Sequence, residues 1–337
     1  TRIPSSRARG TAGPGSPRPL TSTGTRSSKT TSTSSCTPPG SARLASLRMP
    51  GCSASFVSPN GLVLTNHHCA QRHIVAVDRG GEGLLDDGFQ PETSAEERRV
   101  PGLFMDQAVA IDDVTDAMSA AVDAAETDAE REAAFETAEA AVTARLLQPY
   151  GITAPDADAD DYVVQVVGLY NGGRYSAYTF RRYRDVRLAM APEQALGFFG
   201  GDPDNFTYPR YAADFALFRI YGDDGQPLDS PEYFPLSAEG VEAGSLVFVI
   251  GNPGSTSRGL TVAELEFLRD AGLAGTYRFI QTREAALRAY LATGMDSDPD
   301  VLRSRIFGLS NSRKAYGGRL DGLSDPIIIA RRADAER

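Results

Sequence analysis

The alternation of hydrophobic and polar positions divides the chain into blocks of different period. Residues 53–57 and 62–65 alternate in the period-two manner of strands. Ser58-Pro59-Asn60-Gly61 between them is a strong turn signal. The pair is therefore expected as a β-hairpin, with His67, His68 and Cys69 on a loop just beyond its second strand. A further strand-like run covers residues 104–114. The period then lengthens. Met118, Val122 and Ala125 share one stripe, and Phe135, Ala138, Val142 and Leu146 continue a stripe at the same helical spacing. Thr127 with Glu130 can form a capping box between two helices, and Pro149 and Gly151 close the segment. The acidic residues between Asp112 and Glu139 read as a solvated helix face.

From Tyr162 the pattern returns to β. Residues 162–170, the Asn171-Gly172-Gly173 turn and the run from Tyr175 form a second hairpin pattern. Val186, Leu188 and Met190 alternate as on a half-buried strand, and residues 215–221 and 246–250 add two more strands. Beyond Gly251-Asn252-Pro253-Gly254 the pattern is helical almost to Arg337, opening with a Thr261–Glu264 cap. No internal repeat is present. The expected class is β-rich with α-helical insertions, α+β.

Composition changes this picture at the N-terminus. Ser, Thr, Pro and Gly fill 29 of the first 40 positions, and only Ile3, Ala8, Ala12, Leu20 and Cys36 there are apolar. Such a stretch buries too little surface to offset its ordering entropy, so residues 1–44 are expected to be disordered. It has no apolar centre of a signal peptide. A mucin-like stalk and an out-of-frame stretch both fit, the latter better. Residues 1–77 carry nine basic residues and no acidic one, against 25 basic and 44 acidic in the remainder. The formal net charge of −10 excludes a phosphate-binding surface, and no apolar run approaches the roughly 18 residues of a membrane-spanning helix. No nucleic-acid or membrane partner is expected.

The candidate chemistry is concentrated in one place. All three histidines, His67, His68 and His73, lie within seven positions. With Cys69 they could be zinc ligands, but no second Cys or His pair completes a tetrahedron. They could also be locally bonded packing residues, or one could be a general base.

The string from Gly51 to Cys69, ending Thr65-Asn66-His67-His68-Cys69, resembles the first hairpin and histidine loop of chymotrypsin-like serine peptidases. That resemblance makes His68, the residue before the cysteine, the base, and implies a disulfide between Cys52 and Cys69. The orienting carboxylate is then Asp214, just ahead of the apolar run 215–218. The stretch Gly200-Gly201-Asp202-Pro203-Asp204-Asn205-Phe206-Thr207-Tyr208-Pro209-Arg210 is similar to a signature of the bacterial serine dipeptidyl-peptidases of types seven and eleven. The resemblance runs from about Ala42 to the C-terminus.

It implies the first β-barrel of a chymotrypsin-like fold over residues 45–257, with a helical insertion at about 116–148. Residues 258–337 would begin an α-helical cap that ends unfinished. Asn205, with Phe206 beside it, would hold the substrate's α-ammonium. Peptides with a free N-terminus would be the partners, with no cofactor and no metal, a periplasmic or secreted location, and a homodimer of the full-length protein. A Gly-x-Ser-Gly nucleophile loop is absent from the 337 residues, so the serine is expected outside them. A non-catalytic peptide-binding module with a degenerate peptidase fold is the alternative.

Overall fold

The computed structural model describes residues 39–123, 125–197, 211–251, 259–295 and 298–337. Nine strands form its centre: β1 (Ser46–Met49), β2 (Cys52–Phe56), β3 (Leu62–Thr65), β4 (Arg98–Arg99), β5 (Met105–Asp113), β6 (Tyr162–Leu169), β7 (Arg174–Tyr183), β8 (Val186–Met190) and β9 (Ala216–Ile220). All pair antiparallel in one sheet of order β4-β8-β9-β3-β2-β1-β5-β7-β6. Helices α1 (Pro39–Ala45), α2 (His67–Val77), α3 (Leu84–Asp87), α4 (Thr115–Asp123), α5 (Asp128–Leu147) and α6 (Gln194–Gly197) interrupt the strands. Helices α7 (Val262–Phe267), α8 (Leu273–Leu291), α9 (Pro299–Ser324) and α10 (Pro326–Glu336) follow them.

The hairpins form where alternation and turn chemistry coincide. In the first, Ser55 faces Leu64 and Phe56 faces Val63. Gly61 closes its turn at φ +71°, where a Cβ would fall 2.6 Å from the Ile220 carbonyl oxygen, so only glycine fits. The helix signals also hold: the Thr127–Glu130 and Thr261–Glu264 capping boxes open α5 and α7.

The expectation of a β-barrel is wrong. Among the described residues β4 and β6 are the two unpaired ends of the sheet, and a barrel requires them to join. The two-residue β4 offers too little edge for the eight-residue β6. The β5-β7-β6 wing instead buries a face under the helical insertion, in a separate cluster of Val114, Met118, Val142 and Ala177 flanked by Phe135 and Tyr175. The fold is a mixed α/β arrangement on an open sheet. Two smaller expectations also fail. Residues 246–250 form no strand, and Val249 is 99% exposed, because no neighbouring strand among the described residues takes up their backbone groups. At its last six residues the 1–44 stretch expected to be disordered instead belongs to helix α1 (Pro39–Ala45), the remainder lying outside the described residues.

The main core lies between the sheet and α2, where Leu47, Phe56, Val63, Ile74, Leu188 and Phe218 are buried. Each such side chain contributes about 1.5–3 kcal/mol by leaving water. His73 belongs to this core. Its ring stands edge-on to Phe218 at 6.3 Å, and its Nε2 accepts a bond from Arg72 Nε at 3.1 Å.

One polar group fixes the sheet's other half. Arg48, Asp106 and Arg182 are opposite one another on β1, β5 and β7. The fully buried Asp106 carboxylate accepts from Arg48 Nη2 at 3.0 Å and from Arg182 Nε at 2.8 Å. The two guanidiniums also lie over the Phe180 and Phe104 rings. Asp106→Ala would leave two cations without their anion. It is expected to lower the unfolding free energy by about 3–5 kcal/mol in urea denaturation.

A second expectation concerns pH. Burial, with help from the Arg72 charge, pushes the His73 imidazole down to about 4. The unfolded value is about 6.5, so between these values the unfolded chain binds the extra proton. Stability from neutral His73 is complete above about 6.5 and falls away as pH drops toward 4. His73→Phe is expected to flatten the melting temperature against pH across that window.

Candidate active site

The pairing of β3 with β9 assembles the site. Thr65 faces Ala216 in this antiparallel ladder. The residues just after Thr65 and just before Ala216 therefore emerge at the same end of the sheet, and these include His68 and Asp214. The histidines lie in a helix and not on a loop, because Asn66 ends the strand and α2 starts at His67. Consecutive helix positions point about 100° apart. His67 is accordingly fully buried, while the His68 side chain is 46% exposed.

His68 Nδ1 donates to Asp214 Oδ2 at 2.7 Å, and the His68 backbone N–H donates to Oδ1 at 3.0 Å. The carboxylate accepts only, so the neutral ring carries its proton on Nδ1 and leaves Nε2 as a base. The second bond comes from the first turn of α2, whose N–H groups have no partner within the helix and favour an anion. Asn66 reinforces the pair. It occupies the N-cap position but makes no capping bond, and its Nδ2 donates instead to the Asp214 backbone oxygen at 3.1 Å and to Oδ2 at 3.3 Å. Burial pushes the Asp214 carboxyl up. The bonds and charge from His68 outweigh that and hold it below the usual carboxylate range.

Cys52 and Cys69 form a disulfide across 17 residues, joining the start of β2 to the first turn of α2. Closing a loop of that size stabilises by about 3 kcal/mol on the chain-entropy account. Cys52, His68 and Cys69 are near enough to share a metal ion, with ligand atoms all within 4.8 Å. The sulfurs are bonded to each other, however, and neither offers a thiolate. Beside the pair lies a depression of about 250 Å³ lined by Ser53, Ser55, Thr65, Asn66, Asp214 and Ile250. Asn205 and Phe206, the expected α-ammonium site, lie outside the described residues, as do Cys36 and residues 252–258. Sequence reasoning passed over Asn66, whose only signal is its place in the Asn-His-His-Cys string.

Comparisons with known proteins bear on the chain's family. The Peptidase S46 family model matches residues 24–337, so it reaches into the stretch for which no counterpart was expected. A dipeptidyl-peptidase 7 of Capnocytophaga gingivalis is 30% identical over 287 residues, covering 81% of this chain and 38% of that protein. An Asp/Glu-specific dipeptidyl-peptidase of Shewanella putrefaciens is 36% identical over 239 residues, 65% of this chain and 30% of that protein. Among solved structures, Porphyromonas endodontalis DPP11 in complex with substrate superposes with TM-score 0.68 at 26% identity, covering 86% of this chain and 43% of that one. The same protein with the dipeptide Arg-Glu gives 0.73 at 24% identity, covering 86% of this chain and 42% of that one. The chain thus spans about two fifths of the length of the first of these relatives. With a family model matching nearly its whole length, this chain belongs to the Peptidase S46 family.

Proposed function

We propose that the chain supplies the general base and its orienting carboxylate to a serine peptidase that removes dipeptides from free peptide N-termini. The observation that carries this reading is the 2.7 Å bond between His68 Nδ1 and Asp214 Oδ2 on a half-exposed ring. His68 Nε2 takes the proton of a serine hydroxyl as its oxygen attacks the scissile carbonyl, and Asp214 stabilises the resulting imidazolium. The proton then passes to the leaving amine, and water cleaves the acyl-enzyme by the same route. These steps need no cofactor. The serine is assigned to a part of the protein beyond these 337 residues, since they contain no Gly-x-Ser-Gly loop. The dipeptide unit is supported by the relatives' names and by the dipeptides Arg-Glu and Arg-Asp held in solved relatives. Asn205 and Phe206 are proposed to hold the substrate's α-ammonium. The Cys52–Cys69 disulfide supports an oxidising compartment, periplasmic or extracellular, and no helix among the described residues is long and apolar enough to cross a membrane.

In the full-length protein, Asp214→Asn is expected to lower kcat by about four orders of magnitude on dipeptidyl fluorogenic substrates, because the ring then loses the tautomer in which Nε2 carries the basic lone pair. Substrates acetylated at the N-terminus should not be cleaved. A variant retaining full activity would remove the pair from the mechanism. The 337-residue chain alone is expected to resist labelling by a fluorophosphonate, and a labelled residue within it would place the nucleophile here.

A further inference from the structure

The neighbour of the proposed base is a histidine that the chemistry above does not use. His67 is fully buried, and burial holds its imidazole below the ordinary histidine value. Its Nε2 lies 3.1 Å from the Pro192 carbonyl oxygen. That oxygen can only accept, so Nε2 carries the proton and Nδ1 is a bare lone pair. Nδ1 has no partner in the structure, which leaves Pro192 as the single hydrogen-bond partner of the ring among the described residues. The ring also rests against Gly197, where a Cβ would fall 2.5 Å from His67 Cγ. The segment that His67 grips is held at both ends. Ala191 exchanges backbone bonds with Phe89 at 2.8 and 2.9 Å, and Leu196 accepts from the Ala213 N–H at 2.8 Å. Ala213 immediately precedes Asp214.

These contacts close a circuit. His67 holds the segment from Pro192 to Gly197, that segment holds Ala213, and Asp214 holds His68, which adjoins His67. We infer that His67 is a positioning residue whose Nε2–H bond to Pro192 and packing on Gly197 set the position of Asp214 against His68. A structural packing residue would need neither the polar ring nor the hydrogen bond. The Nε2–H bond to the part-buried Pro192 carbonyl is a directional contact that an apolar side chain of the same volume would not make, and losing it leaves that acceptor without the ring. The inference rests on the reading of His68 and Asp214 as the acting pair, but it can be measured without catalysis.

With only three histidines, the chain labelled with 15N-histidine gives a resolvable imidazole spectrum. The His68 Nδ1 proton, bonded to a carboxylate, should appear far downfield. His67→Leu is expected to abolish or strongly broaden that signal. His67→Gln, whose amide can still donate to Pro192, should keep it. Gly197→Ala, which leaves His67 in place but forces the ring aside, should weaken it as His67→Leu does, and it decides the matter if His67→Leu fails to fold. In the full-length enzyme His67→Leu and Gly197→Ala should lower kcat by about 10- to 100-fold with KM little changed, the size of effect that a misplacement near 1 Å produces, while His67→Gln should keep most of the activity. An unchanged His68 signal in folded His67→Leu or Gly197→Ala would overturn the inference. So would a loss in His67→Gln as complete as in His67→Leu. If the full-length parent releases no dipeptides, the proposed function fails while the spectra still judge the positioning role.

Discussion

The arrangement depends on the pairing of two short strands, β3 and β9. Their ladder, with Thr65 opposite Ala216, is what makes neighbours of residues 146 positions apart. A slip of one residue would turn every side chain of β9 to the other face. Ala216, Phe218 and Ile220, all fully buried, would then point to solvent and Leu217 and Arg219 into the core. Burial of those three side chains thus holds the register, and the register holds the carboxylate against the imidazole. The hydrophobic effect has no direction of its own, but through the pleat it sets the placement of a polar pair at the sheet's end.

Two aspartates show how environment divides a residue type between tasks. Asp106 is sealed between two guanidiniums that never lose their charge, so both its partners are permanent cations. Asp214 is bonded to an imidazole that can exchange a proton and is open to solvent on one side. The first arrangement resists change and suits a sheet. The second pairs a carboxylate with a ring that can take and give a proton, as acid–base chemistry requires.

Much of this was legible because local signals agreed. The hairpin from Cys52 to Thr65, the Thr127 and Thr261 caps and the helices after Thr261 all combine a period with a terminating residue. Failures arose where the answer depends on distant partners. Residues 246–250 have every strand propensity and, among the described residues, no strand to pair with, and closure of the sheet is decided by edges that no local window contains. The two-residue β4 is too short to carry a period. His67 and His68 are the same letter in sequence, and only the start of a helix at His67 decides that one is buried and the other meets Asp214. Asn66 resembles an N-cap by type and position, and its turn toward Asp214 is a property of the assembled site.

The helices α4 and α5 sit within the excursion between the two halves of the pair and have a small core of their own. Because β3 and β9 bond directly, the register at their ends does not depend on how long the α4–α5 part of the connection is. Doubling the length of such a connection costs only about 0.6 kcal/mol in closure entropy. The part of the excursion around α4 and α5 is therefore free to gain, lose or exchange whole elements over evolutionary time, provided each addition brings its own buried face and leaves β8 and the Pro192–Gly197 segment in place. Innovation in a lineage built on this sheet would accumulate there, while the ends of two four- and five-residue strands stay as they are.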